Sequence, residues 1–115
     1  IDIHEFSDGD FLYTYEKVSI FDCKFTPKVY TYKSSLDGSL LIDKYEYEYS
    51  SGSKATSKVL LKELIDNFTK LYGEPDITED TTEYYRWYFK NGFEILLFMG
   101  SGYPYTVHIE YQRSF

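Results

Sequence analysis

Between positions 56 and 72 the apolar residues Leu61, Leu64, Ile65, Phe68, Leu71 and Tyr72 recur at steps of three and four. That is one stripe on a 3.6-residue period, and it predicts an amphipathic helix over 56–72. Ser53, Thr56 and Ser57 are candidate caps at its start, and Gly73 followed by Pro75 stops it. Lys62, Asp66 and Lys70 stand four apart on the polar side and add about 0.3 kcal/mol per pair. About 17 residues at about 1.5 Å each give roughly 25 Å, the length of a strand of about eight residues, so the helix is able to lie across a sheet.

After the helix the period falls to two, and segments 83–89, 93–99 and 105–112 read as a three-stranded meander. The first turn contains Asn91-Gly92, which allows two registers. A two-residue loop would scatter the apolar residues over both faces. A three-residue loop, Lys90-Asn91-Gly92 with Gly92 left-handed in a bulge, pairs Phe89 with Phe93. Tyr85, Trp87 and Phe89 then share a face with Phe93, Ile95, Leu97 and Met99, completed by Tyr105, Val107, Ile109 and Tyr111. The bulged register gathers the core on one side and is preferred.

Before the helix, the alternation Tyr45-Glu46-Tyr47-Glu48-Tyr49 within 40–49 reads as a half-buried strand with its charges in water. Asp37-Gly38 is a hairpin signal joining it to 28–33, and a two-residue turn there sets Tyr30 opposite Tyr45 and Tyr32 opposite Asp43. Residues 18–25 form another strand, stopped at Thr26-Pro27. The first ten residues, with His4, Glu5, Asp8, Gly9 and Asp10, read as a polar lead-in. The expected fold is α+β: one domain over 1–115, with an antiparallel sheet or sheets of about six strands, ordered β-β-β-α-β-β-β, packed on one amphipathic helix.

Composition narrows the function. At 115 residues and 43% apolar the chain suits a single folded domain. Fourteen Tyr, nine Phe and Trp87 make it 21% aromatic, which fits sheet positions and binding surfaces alike. A net charge of -7 without a basic cluster argues against nucleic acid as a partner, because a phosphate backbone would be repelled. It leaves a basic protein as a partner, including through mimicry of DNA. No apolar run reaches transmembrane length. Cys23 is the only cysteine, so neither an intramolecular disulfide nor a Cys-pair metal motif is available, and its apolar stretch marks it as an inert thiol. The chain begins at Ile1 and not at Met, as a processed leader or a preceding domain would leave it.

Candidate chemistry is sparse. His108 has Glu110 two residues on along the same strand face, an acid–base pair in principle but a common solvated arrangement on sheets. No serine elbow, phosphate loop or dinucleotide fingerprint occurs, and Gly100-Ser101-Gly102 reads as a turn. Asp8-Gly9-Asp10 lacks the remaining positions of a calcium loop. Glu74, Asp76, Glu79, Asp80 and Glu83 read as a solvated acidic connection. No catalytic residue, metal ligand or cofactor is therefore assigned.

The second face of the meander is more informative. It carries Tyr84, Arg86 and Tyr88, then Glu94, Leu96 and Phe98, then Thr106, His108, Glu110 and Gln112. Tyr84, Tyr88, Leu96 and Phe98 would make an apolar-aromatic island rimmed by charges. Six strands suffice for two layers, so the strands before the helix, or a segment preceding Ile1, are expected to cover it. Left open, it has the anatomy of a binding site, with Tyr84, Arg86, Tyr88, Leu96, Phe98 and His108 as the contact residues.

From Leu61 to Tyr111 the chain resembles small uncharacterised bacterial envelope proteins: a helix ending Leu71-Tyr72-Gly73-Glu74-Pro75, a strand with Trp87, one with Ile95 and Leu97, and a last strand with Ile109 and Tyr111. The layout is loosely similar to the helix-on-meander units of outer-membrane assembly lipoproteins and β-lactamase inhibitor proteins, which carry a helix pair where this chain has strands. The resemblance implies a bacterial, extracytoplasmic binding module that recognises a protein or a glycan. The acidic balance supports the alternative, a cytoplasmic inhibitor or immunity-type protein set against a basic partner. Unpaired strand edges would permit dimers.

Overall fold

A computed structural model describes residues 1–79 and 83–113. The described chain is α+β, with one helix lying on one antiparallel sheet. The elements are β1 (Asp2–Glu5), β2 (Phe11–Thr14), β3 (Val18–Ile20), β4 (Cys23–Lys33), β5 (Leu40–Ser51), α1 (Lys54–Tyr72), β6 (Ile77–Glu79), β7 (Tyr84–Tyr88), β8 (Phe93–Met99) and β9 (Tyr105–Arg113). Across the sheet they run β1-β2-β4-β5-β9-β8-β7-β6, with β3 also paired to β4. The strand count is thus nine among the described residues, not about six. The additions are β1, β2 and β6, and the first two expected strands are divided differently.

That division has a local cause. Phe21 and Asp22 both have positive φ, 50° and 61°, and form a two-residue turn between Ile20 and Cys23. The strand that follows runs straight through Pro27, where a stop was expected. Proline lacks an N–H and is tolerated only where the ladder needs no donor. Here the Pro27 carbonyl accepts from Tyr15 N–H, just beyond the end of β2 at Thr14, while β3 begins to pair only at Phe25. Pro27 therefore faces the gap where the neighbour of β4 changes from β2 to β3.

The β4–β5 register also differs from expectation. Tyr30 lies opposite Lys44 and Tyr32 opposite Leu41, with a bulge between Tyr30 and Thr31. The turn is longer than two residues: Gly38 N–H bonds to the Ser34 carbonyl, and Ser34 N–H to that of Ser39. Asp37 instead accepts from the backbone and hydroxyl of Ser39.

The helix and meander follow the sequence closely. The Ser53 hydroxyl caps α1 by accepting from Thr56 N–H at 3.2 Å, and Gly73, at φ 85°, closes it by donating to Thr69. Phe89 N–H bonds to the Phe93 carbonyl, and Gly92 is left-handed at φ 84°, which is the bulged register. Phe25, Leu60, Leu61, Leu64, Trp87, Ile95, Leu97 and Val107 form the core between α1 and the sheet. Tyr85, Phe89, Met99, Ile109 and Tyr111 pack against it. Ser57, wholly buried, donates to the Tyr105 carbonyl at 2.9 Å and ties α1 to β9.

Helix α1 lies over β5, β8 and β9, and its core contacts extend to Trp87 of β7 and Phe25 of β4. Tyr45 and Tyr47 stand on the helix side opposite Tyr111 and Ile109, yet are 42% and 38% exposed, because α1 does not reach them. The N-terminal strands widen the sheet and do not fold back as a second layer, contrary to expectation. The Cα radius of gyration, 15.2 Å, exceeds the roughly 13 Å of a compact chain this long. The face opposite the helix is left without a covering element among the described residues.

Candidate binding face and its buried carboxylates

The ladder places the open-face side chains in three rungs. The first runs Tyr30, Lys44, Gln112, Glu94, Tyr88; the second Lys28, Glu46, Glu110, Leu96, Arg86; the third Thr26, Glu48, His108, Phe98, Tyr84. Strand alternation fixes which residues face this side, and pairing of β5 with β9 brings two halves of the chain together there.

All six residues singled out from the sequence lie on this face. Phe98 stacks on the His108 imidazole at 4.6 Å and 10°, and Tyr84 tilts against Phe98 at 6.2 Å. The Arg86 guanidinium sits between Tyr84 and Tyr88, 5.2 and 5.6 Å from their ring centres, and donates to both hydroxyls. The expected apolar island is therefore divided. Leu96 is buried within the row, Arg86 separates the two tyrosines, and Tyr88 is the exposed member. Beyond Tyr84 and Phe98 a groove of about 780 Å³ opens, bordered by Lys54, Tyr105 and the turn Gly100-Ser101-Gly102. The acidic connection 74–83 borders the same end through Glu83; its residues 80–82 lie outside those described.

Sequence reasoning placed the β5 carboxylates in water. Glu46 is instead 4% exposed, with Glu94 at 4% and Glu110 at 7%. Neighbouring side chains close over them. Tyr30 donates to Glu46 at 3.4 Å, Gln112 to Glu94 at 2.9 Å and Lys44 to Glu110 at 3.2 Å, and Arg86 stands 3.4 Å from Glu94. Lys28 pairs with Glu48 at 3.3 Å, and Lys44 lies 4.7 Å over the Tyr30 ring. Buried charge is tolerable only with such partners.

Glu46 and Glu110 stand directly opposite each other and behave as one coupled pair. Burial, and then the hydrogen bond to Glu46, push Glu110 up to about 7, against the opposing charge of Lys44. Burial also acts upward on Glu46, but hydrogen bonds with His108 and Glu110 and the charges of His108 and Lys44 outweigh it and hold it down to about 2. Of the two carboxyls, Glu110 is therefore the harder to ionise. Tyr30 is raised to about 12 by burial first and then by Glu46, Glu48 and Glu110.

The imidazole of His108 joins the two networks. Its Nδ1 lies 3.3 Å from Glu46 and 3.7 Å from Glu48, and its Nε2 lies 2.8 Å from the Thr106 hydroxyl. Glu46, Glu48 and Lys44 were missed as site residues. The Tyr-Glu alternation put both glutamates on one face, but nothing local said that β9 would be the neighbouring strand.

No protein-family model, curated protein or solved structure matches the chain.

Proposed function

We propose that this domain is a non-catalytic binding module that takes a protein partner on the open face of its sheet. One observation carries the reading: the row Tyr84, Arg86, Tyr88 and Phe98 is covered by no described element, and Tyr and Arg are the residues that most often anchor protein interfaces. A protein is preferred to a glycan because sugar stacking needs a free ring face. Phe98 has His108 against it, and both Tyr84 and Tyr88 have the guanidinium.

The Glu46–Glu110 pair is taken as structural, since less than a tenth of either residue is reachable by a substrate. The acidic-inhibitor alternative, which rests on the net charge and the acidic stretch 74–83, gains no unpaired carboxylates from this face. Glu48, Glu94 and Glu110 each have a cationic neighbour instead. A location outside the cytoplasm is supported by the resemblance to envelope proteins, and fractionation of cells making the native protein tests it.

Tyr88 is 44% exposed, so alanine there should leave the fold intact. Tyr88→Ala and Phe98→Ala should each weaken, at least tenfold, the binding of the protein that the wild-type domain captures. Leu36→Ala, on the far hairpin at 96% exposure, should not. Equal capture by all three variants would remove the assignment to this face, and binding to a glycan array without any protein partner would replace protein with glycan.

A further inference from the structure

We propose that Glu46, Glu48 and His108 form a site for a divalent transition-metal ion, with Zn²⁺ the best-fitting common ion. The inference is independent of any partner protein. The three residues offer one imidazole nitrogen and two carboxylate oxygens, all within 4.8 Å of one another.

The spacing is close to what a metal needs. Ligands about 2.0–2.1 Å from a tetrahedral Zn²⁺ are about 3.3 Å apart. His108 Nδ1 is already 3.3 Å from the Glu46 oxygen and 3.7 Å from the Glu48 oxygen. Two of the three edges of the ligand triangle are therefore near their bound length. The remaining edge closes by a swing of Glu48, whose side chain is 28% exposed and which gives the ion a way in. That swing works against the 3.3 Å pairing of Glu48 with Lys28, and the charge of Lys44 acts on Glu46 as well.

The surroundings suit a ligand histidine. Nε2 is 2.8 Å from the Thr106 hydroxyl, so a metal on Nδ1 would leave the Nε2 N–H a ready acceptor in threonine. Two carboxylates with one divalent ion sum to zero charge, the inexpensive combination beside the buried Glu110–Lys44 pair. Phe98 covers one face of the imidazole and keeps water from that side. The ligands stand on two paired strands at the centre of the sheet, with Glu48 directly opposite His108, so their backbones are fixed before an ion arrives.

The donor set selects the kind of ion. Magnesium and calcium favour all-oxygen shells, whereas an imidazole with two carboxylates suits zinc and its first-row neighbours. Three protein ligands leave a fourth position for water or for a group on a bound molecule.

The test uses the whole chain, freed of metal with a chelator and titrated with Zn²⁺ alone, with Co²⁺ as a spectroscopic probe. One equivalent should bind with a dissociation constant in the micromolar range or below, and Co²⁺ should show a visible absorption band of a low-coordinate site. His108→Ala should weaken binding at least a hundredfold, Glu48→Gln at least tenfold, and Thr106→Val about 10–100-fold through the lost support of the ring. His4→Ala should change nothing, His4 lying in β1 at the far edge of the sheet. If His108→Ala does not fold, Glu48→Gln, at a half-exposed position, decides. Failure to take up one equivalent below about 100 μM, or uptake indifferent to both substitutions, would overturn the site.

Discussion

The Thr106 hydroxyl lies 2.8 Å from Nε2 of His108, and it fills the space that a Cβ on Gly100 would occupy. Gly100 is thus required by a neighbour and not by its own backbone, since it is not among the glycines with positive φ. Gly100→Ala should push Thr106 aside and release the imidazole. Overpacking of this kind costs about 1–3 kcal/mol. The expected result in urea unfolding is a loss in that range, together with a changed His108 ring signal in NMR. In a Thr106→Ala background most of the loss should vanish, because the obstructing hydroxyl is gone. A loss of the same size in both backgrounds would show that the contact is not the cause.

Trp87 is the side chain that locks the meander to the helix end. Its ring is 2% exposed, packs edge-on against Phe68 at 5.7 Å, and its indole N–H donates to the Gly73 carbonyl at 2.9 Å. Trp87→Phe keeps much of the packing but leaves that carbonyl unmet, at about 1–3 kcal/mol. Leu64→Ala, at a fully buried site, should cost about 2–5 kcal/mol through the cavity it leaves. Val59→Ala, on the outer face of the same helix at 60% exposure, should stay within about 0.5 kcal/mol. Denaturant midpoints rank the three. A Val59 effect as large as that of Leu64 would mean that α1 lies on the sheet by a different face.

The hairpin at Gly92 isolates backbone conformation from packing. Its φ is 84°, and nothing lies within 4 Å of an added Cβ. Gly92→Ala therefore carries only the cost of a left-handed L-residue, about 1–2 kcal/mol. Gly92→Asn should recover part of it, because asparagine tolerates that region. If alanine were neutral here, the hairpin would have to be closing in another register.

The same turn shows what could be read in advance. Asn91-Gly92 and the alternation on either side leave one register that puts Trp87, Ile95 and Leu97 together, so local chemistry and core formation agree. Asp37-Gly38 looked equally clear, yet Asp37 spends its carboxylate on Ser39 and the loop lengthens, shifting Tyr30 from Tyr45 to Lys44. Alternation along β5 set Tyr45 and Glu46 on opposite faces but could not say which face would be covered. That depended on the reach of a single helix and on the arrival of β9 beside β5, pairings that join residues 62 apart in the case of Glu46 and His108. The open-face residues of the meander were legible for the same reason as its core. The burial of Glu46 on β5 was not, because long-range strand pairing leaves no local mark.

Cys23 gives a pH-dependent prediction away from the open face. It lies beside a cleft of about 380 Å³ formed with Phe21 and the first turns of α1, including Val59, Leu60 and Glu63. Burial raises its thiol pKa above the usual value, and the charges of Glu63 and Asp22 add to the rise. The sign is unambiguous: each cause disfavours the thiolate, which is the reactive form. Alkylation by iodoacetamide should therefore be slower than for free cysteine at the same mildly alkaline pH, and its rate–pH midpoint should lie higher. Glu63→Gln removes one negative neighbour and should move the midpoint part of the way down, leaving the share due to burial. Complete unfolding in urea should return it to that of free cysteine. A native midpoint at or below the free-thiol value would mean that the side chain is solvated, and that the β3–β4 turn does not hold it against α1.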